Sequence, residues 1–232
     1  MKFLKIISIL FLLQGCSSNY EWGWYILSPD NIDGLTNLKF LISGITTTIY
    51  ISVVSIILAM IIGLVVALPS LSNNKLLSYF NITYVEFVRA IPLLVLILWI
   101  YYGLPIMIGV SFSPFVSGII ALTISESAFQ AEIFRAGINS ISKGQHEVSE
   151  SLGMDFWRKM RLVILPQAIK VVLPAMGNQF VYVLKMSSLV SIIGIGDLTR
   201  KANELVVTTN SLAFLVKSPI PIIDTNEDIF KT

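Results

Sequence analysis

Two ionisable residues stand far from other charge in apolar stretches: Glu126, in the run that follows Pro114, and Lys185, in the run that follows Lys170. A charge near the centre of a bilayer costs at least about 2.5–3.5 kcal/mol, so such groups face a bundle interior or a wet cavity. One reading is a structural ion pair between them. Ser187 and Ser188 follow Lys185; serines in such a place commonly donate to helix carbonyls. Glu132 and Arg135, spaced i and i+3, are set to pair locally. A third concentration of polar chemistry is the stretch from Gly144 to Pro166, GQHEVSESLGMDFWRKMRLVILP. The single histidine, His146, and the single cysteine, Cys16, supply neither a multi-residue metal site nor an internal disulfide. No nucleophile–base pair stands out, and no Gly-x-x-x-x-Gly-Lys-Ser/Thr loop is present, so nothing points to an enzyme or to ATP binding on this chain.

The elements that must position these residues are membrane helices. Of 232 residues, 55% are hydrophobic and 13% charged, and mean hydropathy is +0.79. Soluble domains carry about 25% charge, so lipid must solvate much of this surface. A net charge of +2 argues against a nucleic-acid partner.

Residues 1–16 have a basic start at Lys2 and Lys5 and an apolar run from Ile6 to Leu13, too short to span a bilayer. They read as a signal peptide, and Leu13-Gln14-Gly15-Cys16 resembles a lipoprotein processing box with lipidation at Cys16; the alternative is an uncleaved anchor with an inert cysteine. Residues 17–39 are then an external segment. Spans are expected at about 40–68, 88–104, 115–136 and 171–195, with Gly103, Pro105, Gly109 and Pro114 dividing the uncharged run from Ala90 to Ser125. Arg135, Lys143, Arg158, Lys159, Arg161 and Lys170 lie between the third and fourth spans, which places that loop in the cytoplasm. Residues 40–205 form the membrane domain, with its cytoplasmic loop at 139–168; Pro219, Pro221, Asp224, Glu227 and Asp228 mark 206–232 as an atypical tail. The fold class is all-α, a polytopic membrane helix bundle of about four spans. Pro92 and Pro174 are expected to kink their helices.

The loop reads as two short helices. Ser142 and Gln145 have capping-box spacing, and Gly153 fits the left-handed position that ends the first helix. Ile141, Val148 and Leu152 share a stripe on it. Asp155 caps the second, where Phe156, Met160, Val163 and Ile164 repeat with helical period and Pro166 stops the helix before the next span. Such stripes lie on the membrane, pack on their own spans, or enter a partner's groove.

Five blocks in order resemble one family. They are Thr46-Thr47-Thr48; Tyr84-Val85-Glu86 through Arg89 to Pro92-Leu93-Leu94; Ala131 to Ile138; Lys143-Gly144-Gln145 with Glu147, Gly153 and Leu165-Pro166-Gln167-Ala168; and Leu184 to Val190. The chain is similar over about residues 43–205 to the permease subunits of ABC importers for polar amino acids. The resemblance implies a type I importer bundle of five spans, paired with a second copy or a sister permease in the bacterial inner membrane. It implies two further partners: an ATPase that carries ATP and Mg, and a periplasmic or lipid-anchored amino acid binding protein. Gly144, Gln145, Glu147, Gly153, Leu165 and Pro166 then become the ATPase-coupling positions. Glu126, Lys185, Ser187 and Ser188 gain a second reading, as groups that meet the amino and carboxylate ends of an amino acid in the pathway.

Val148-Ser149 replace the family's double alanine, Ala90-Ile91 its glycine–threonine, and Met186 an acidic residue, which weighs against a cationic substrate. The family's fifth span is not found. Two alternatives therefore accompany the importer: a truncated, non-transporting structural remnant, and a permease for another small polar solute.

Overall fold

A computed structural model describes residues 25–68 and 75–209. The signal segment, Cys16 and residues 210–232 lie outside the described residues. The described chain is helical and contains no strand, as the all-α reading requires. The chain divides into two compact units, Ser43–Leu198 and Met1–Ile42 with Thr199–Thr232.

Helix α1, Gly34–Ala67, is 34 residues long, roughly 51 Å at 1.5 Å per residue. Helix α2, Lys75–Ala90, is amphipathic and ends at Ala90. Helix α3, Leu93–Ile108, leaves it at 91°. The expected span at 88–104 is thus not one rod: Pro92 lacks an N–H and biases Ile91 away from helical backbone, so the chain turns there. Helix α4, Pro114–Asn139, starts with Pro114 in its first turn and Ser113 at its N-cap, where the Oγ accepts from the Val116 N–H at 3.3 Å. Helix α5 is Lys143–Ser151. Helix α6, Phe156–Ile193, runs 38 residues without a full stop and passes through Pro174. Helix α7 is Leu198–Thr209, so it crosses the boundary placed at residue 205.

By length and apolarity α1 and α6 each suffice to cross a membrane, and α2 with α3 makes a third span if the bent pair counts as one. The expected third span corresponds to α4, whose middle is more polar because it is wrapped by its neighbours. Ser117, Thr123, Ser125, Glu126, Ser127 and Gln130 are all buried on it. In lipid, polar side chains of this kind are retained where another helix covers them.

Helix α1 covers them with a ridge of small residues. Ser55, Ala59, Gly63 and Ala67 recur every four residues and all are buried. A Cβ on Gly63 would stand 2.7 Å from the Gln130 Cβ and 2.9 Å from both the Ser127 carbonyl oxygen and the Ala131 nitrogen. The backbones therefore approach more closely than any larger residue permits. On the flank, the Asn81 amide of α2 donates to the Val66 carbonyl at 2.5 Å, and the Tyr84 and Ser127 hydroxyls share a hydrogen bond of 2.6 Å. The main apolar core joins Ile51 of α1, Leu96, Ile97 and Ile100 of α3, Ala121 and Leu122 of α4, and Val190 and Ile193 of α6.

In the smaller unit, Leu41, Ala202 and Leu205 are buried together, with Leu27 and Phe40 packed against them. The Lys201 ammonium lies 4.7 Å above the Phe40 ring, and the Asn37 amide donates to the Ile26 carbonyl at 3.0 Å.

Gly63→Leu should lower the thermal stability of the detergent-purified protein by about 1–3 kcal/mol, the usual cost of overpacking. Ile61→Leu, on the exposed side of the same helix, should be neutral. Equal melting temperatures for the two variants would contradict the close-approach seam.

Candidate functional site

The loop at 139–168 is built by the end of α4, by α5 and by the start of α6. Ile138, Ile164 and Ala168 are buried together beneath it, with Ile141, Met160 and Val163 packed around them. Ser142 does take the N-cap position of α5, but its side chain makes no capping hydrogen bond. The capping box does not form, because Gln145 turns its side chain toward α6. There its Oε1 accepts from Gln167 Nε2 at 3.3 Å.

Of the alternatives for the stripe, packing on its own spans does not hold for Val148 and Leu152. Val148 and Leu152 are 59% and 69% exposed. Of α5 it is Ser149 that is buried, with its hydroxyl donating to the Gln145 carbonyl at 2.6 Å. The side of α5 nearest the membrane helices accepts only a small residue.

Gly153 is where the sequence put it, with φ of 71°. The Met154 N–H donates to the Ser149 carbonyl at 3.1 Å and the Gly153 N–H to the Glu150 carbonyl at 2.9 Å. That pair of bonds is the Schellman arrangement, which needs a left-handed residue between helix and exit.

Beyond the turn the expected second helix does not stop at Pro166. A helical turn at Phe156–Lys159 passes into a π-turn at Met160–Ile164 and then into Leu165–Met186 as one helix. Proline removes one N–H and crowds the carbonyl four residues back. A π-turn directly before Pro166 gives that ring room. The same device precedes Pro105, with a π-turn at Trp99–Gly103.

Gly144, Gln145, Glu147, Gly153, Leu165 and Pro166 are all exposed on this loop, and a Cβ at Gly144 or Gly153 would meet nothing within 4 Å. Val148, Leu152, Phe156, Trp157 and Leu162 are exposed as well, and the Phe156 and Trp157 rings meet edge-on at 5.6 Å. Uncovered aliphatic and aromatic residues interspersed with charge are the composition of a docking face.

Among the described residues three ion pairs lie at the loop, one of them the exposed Arg158–Asp155 contact at 3.5 Å. Arg135 Nε donates to Glu132 Oε2 at 3.1 Å, the local pair the spacing predicts. Lys159 Nζ meets Glu150 Oε1 at 2.6 Å. Hydrogen bonding from Lys159, then its charge, holds the Glu150 carboxyl below the ordinary carboxylate range.

The candidate pathway residues do not assemble as one site. Glu126 is fully buried, but it faces α6 at Gln179, whose Nε2 donates to Glu126 Oε2 at 2.6 Å. No ion pair between Glu126 and Lys185 forms; the Lys185 side chain is exposed. The reason is angular: Gln179 lies on the buried stripe of α6 with Val172 and Val183, and Lys185 does not. Ser187 donates to the Leu184 carbonyl and Ser188 to the Lys185 carbonyl, each at 2.8 Å, so both hydroxyl protons stay within the helix.

The buried polar partners are ones the sequence reading passed over. Half-buried Gln179 accompanies Glu126, and Gln130 is buried one turn further along α4. Among the described residues, Glu126 Oε1 and both amide atoms of Gln130 are buried without a hydrogen-bond partner. The successive spacings of four, seven and four residues from Ala168 through Val172 and Gln179 to Val183 were the signal for Gln179. Among the described residues no group of His, Cys, Asp and Glu is placed to hold a metal.

Residues 55–218 match the family described as binding-protein-dependent transport system inner membrane component. The chain is 35% identical over 177 residues, 76% of itself and 81% of the relative, to the putative glutamine transport system permease protein GlnP of Rickettsia prowazekii. It is 39% identical over 178 residues, 77% and 82% of the two chains, to the probable glutamine ABC transporter permease protein GlnM of Bacillus subtilis. With the arginine transport system permease protein ArtQ of Bacillus subtilis it shares 34% identity over 168 residues, 72% and 77% of the two chains. Its fold is similar to the crystal structure of an amino acid ABC transporter with histidines, with a TM-score of 0.71, 40% identity and coverage of 78% and 85%. The inward-facing MetNI methionine ABC transporter shares the fold at a TM-score of 0.63 and 22% identity, covering 72% and 81%.

Two outcomes follow from the site geometry. Because the Glu150 carboxyl is held low in the folded protein, its contribution is present above the unfolded carboxylate pKa of about 4.3 and is lost as pH falls through the lower folded value. The melting-temperature gap between wild type and Glu150→Gln should therefore hold from pH 7 to about pH 5 and shrink as the pH falls below about 4.3. Gln179→Leu leaves the buried Glu126 carboxylate without its donor and should cost about 1–3 kcal/mol. Glu126→Leu combined with Gln179→Leu should recover part of that loss in thermal unfolding.

Proposed function

The chain belongs to the family of binding-protein-dependent transport system inner membrane components, and from that premise we propose an importer whose membrane subunit is driven through the loop at 144–166. The chain is the permease subunit of an amino acid ABC transporter, carrying polar amino acids across the membrane. The work is done by a separate ATPase subunit that binds ATP and Mg and docks on the loop. An external binding protein delivers the amino acid, and a second permease, the same chain or a sister, completes the pathway. The membrane is the bacterial inner membrane, with the loop on the cytoplasmic side.

The observation that carries this reading is the form of the loop. A short helix ends at a left-handed glycine, turns back into a membrane-length helix, and leaves its aliphatic and aromatic residues uncovered. A helix laid into a groove is a recurring recognition mode that needs such a presentation. Glu147 is exposed on that helix, free to meet a donor on the ATPase. Gly153 holds the exit angle, since any side chain is strained at its φ of 71°. Gly144, Gln145, Leu165 and Pro166 frame the same surface.

For the pathway, support has moved from Lys185, Ser187 and Ser188 to the buried face of α4. Glu126 keeps one carboxylate oxygen without a partner among the described residues, next to Gln130 in the same condition. A polar amino acid carries the ammonium and amide groups that match such acceptors and donors.

In proteoliposomes with the ATPase and the binding protein, ATP should drive uptake of a polar amino acid. Glu147→Lys and Gly153→Asp should each reduce co-purification of the ATPase and lower uptake at least tenfold, about the effect of 1.4 kcal/mol. Full ATPase retention and full uptake in both variants would remove the docking role from this loop.

A further inference from the structure

The junction between α5 and α6 is held less well by apolar packing than a helix pair normally is. Val148 and Leu152 point away from it, and a Cβ at Gly153 would meet nothing within 4 Å. A Schellman turn fixes the backbone at one point only, and a single pivot leaves the angle between two helices free. Two side-chain ties supply the rest. At the first turn of α5, Gln145 is bound by Gln167 at 3.3 Å. At its last turn, Glu150 is bound by Lys159 at 2.6 Å, across nine residues and over the turn.

The second tie differs from an ordinary surface pair. Lys159 is only 14% exposed, while its neighbour Arg158 is 77% exposed and makes a local 3.5 Å contact with Asp155. The lysine stem is thus packed in the junction, with its ammonium aimed back at α5. Pivot, amide pair and ion pair together give the junction three separate points of attachment.

We propose that Glu150 and Lys159 form a strut that fixes the angle between α5 and α6 and passes movement of α5 into the membrane span. The proposal rests on the coupling role of this loop. Both are positioning residues: neither has to touch the ATPase or the transported molecule. Without the strut α5 still docks, but it swings on Gly153, and part of the ATPase stroke is lost as bending.

The test uses the complete transporter in proteoliposomes, with Glu150→Lys, Lys159→Glu and the two combined. Amide hydrogen exchange over residues 149–154 and substrate taken up per ATP hydrolysed are measured together. Each single reversal should speed exchange by about two- to fivefold, the range an ion pair of partial exposure supports. Uptake per ATP should fall by a similar factor while the ATPase remains bound, and the combined reversal should restore both. Unchanged exchange in the single variants overturns the strut. Faster exchange with unchanged uptake per ATP overturns its role in transmission. Wild-type protein that shows the expected exchange but no ATP-driven uptake would support the strut and overturn the importer reading instead.

Discussion

The bundle depends on how closely α1 and α4 approach. Between helices in lipid there is little hydrophobic gain, so contact and satisfied polarity must hold them together. The ridge Ser55, Ala59, Gly63, Ala67 lets α4 come near enough for its polar face to be enclosed. Once enclosed, α4 can carry a carboxylate, a carboxamide and several hydroxyls at mid-membrane. Tyr84 of α2 and Gln179 of α6 then become partners rather than lipid-facing liabilities. A bulkier ridge would push α4 outward and expose that polar face to hydrocarbon. The small residues of one helix thus permit the polarity of another.

A second constraint comes from proline. Pro92 breaks the chain into two helices meeting at 91°, while Pro105 and Pro166 sit inside continuing helices behind π-turns. Before Pro105 and Pro166 the turn widens, and the carbonyl that would clash has room. Pro174 lies within the α-helical Leu165–Met186 segment with no such turn before it. At Pro92, Ile91 leaves helical backbone and the direction changes. In α6 the outcome is one continuous helix from the exposed Phe156 to the buried Ile193, joining the loop to the bundle core.

Much of this was legible in the residues. The apolar runs located the helices, Gly153 marked its turn, and the Glu132–Arg135 spacing gave its pair. The five motif blocks identified the family that residues 55–218 match. What escaped reading depends on distances between helices. Ser149 is buried because α5 lies too near its neighbours for a larger residue, which no stripe of apolar residues announces. Glu126 meets Gln179 rather than Lys185 because of the rotation of α6 about its axis. The continuation through Pro166 was hidden for a simpler reason: a π-turn has no residue signature of its own, and proline ordinarily argues for an end.

That π-turn also sets an angular phase. It holds one residue more than an α-turn, so everything before it is rotated by about 100° relative to a continuous helix. Phe156 and Trp157 on one side, and Val172, Gln179 and Val183 on the other, therefore follow two different helical registers. Loss of one residue between Met160 and Ile164 would restore a regular helix and preserve every side chain elsewhere. It would also turn the loop end of α6 by more than a quarter of a circle against the rest of the helix. In this part of the chain the number of residues carries as much information as their identity.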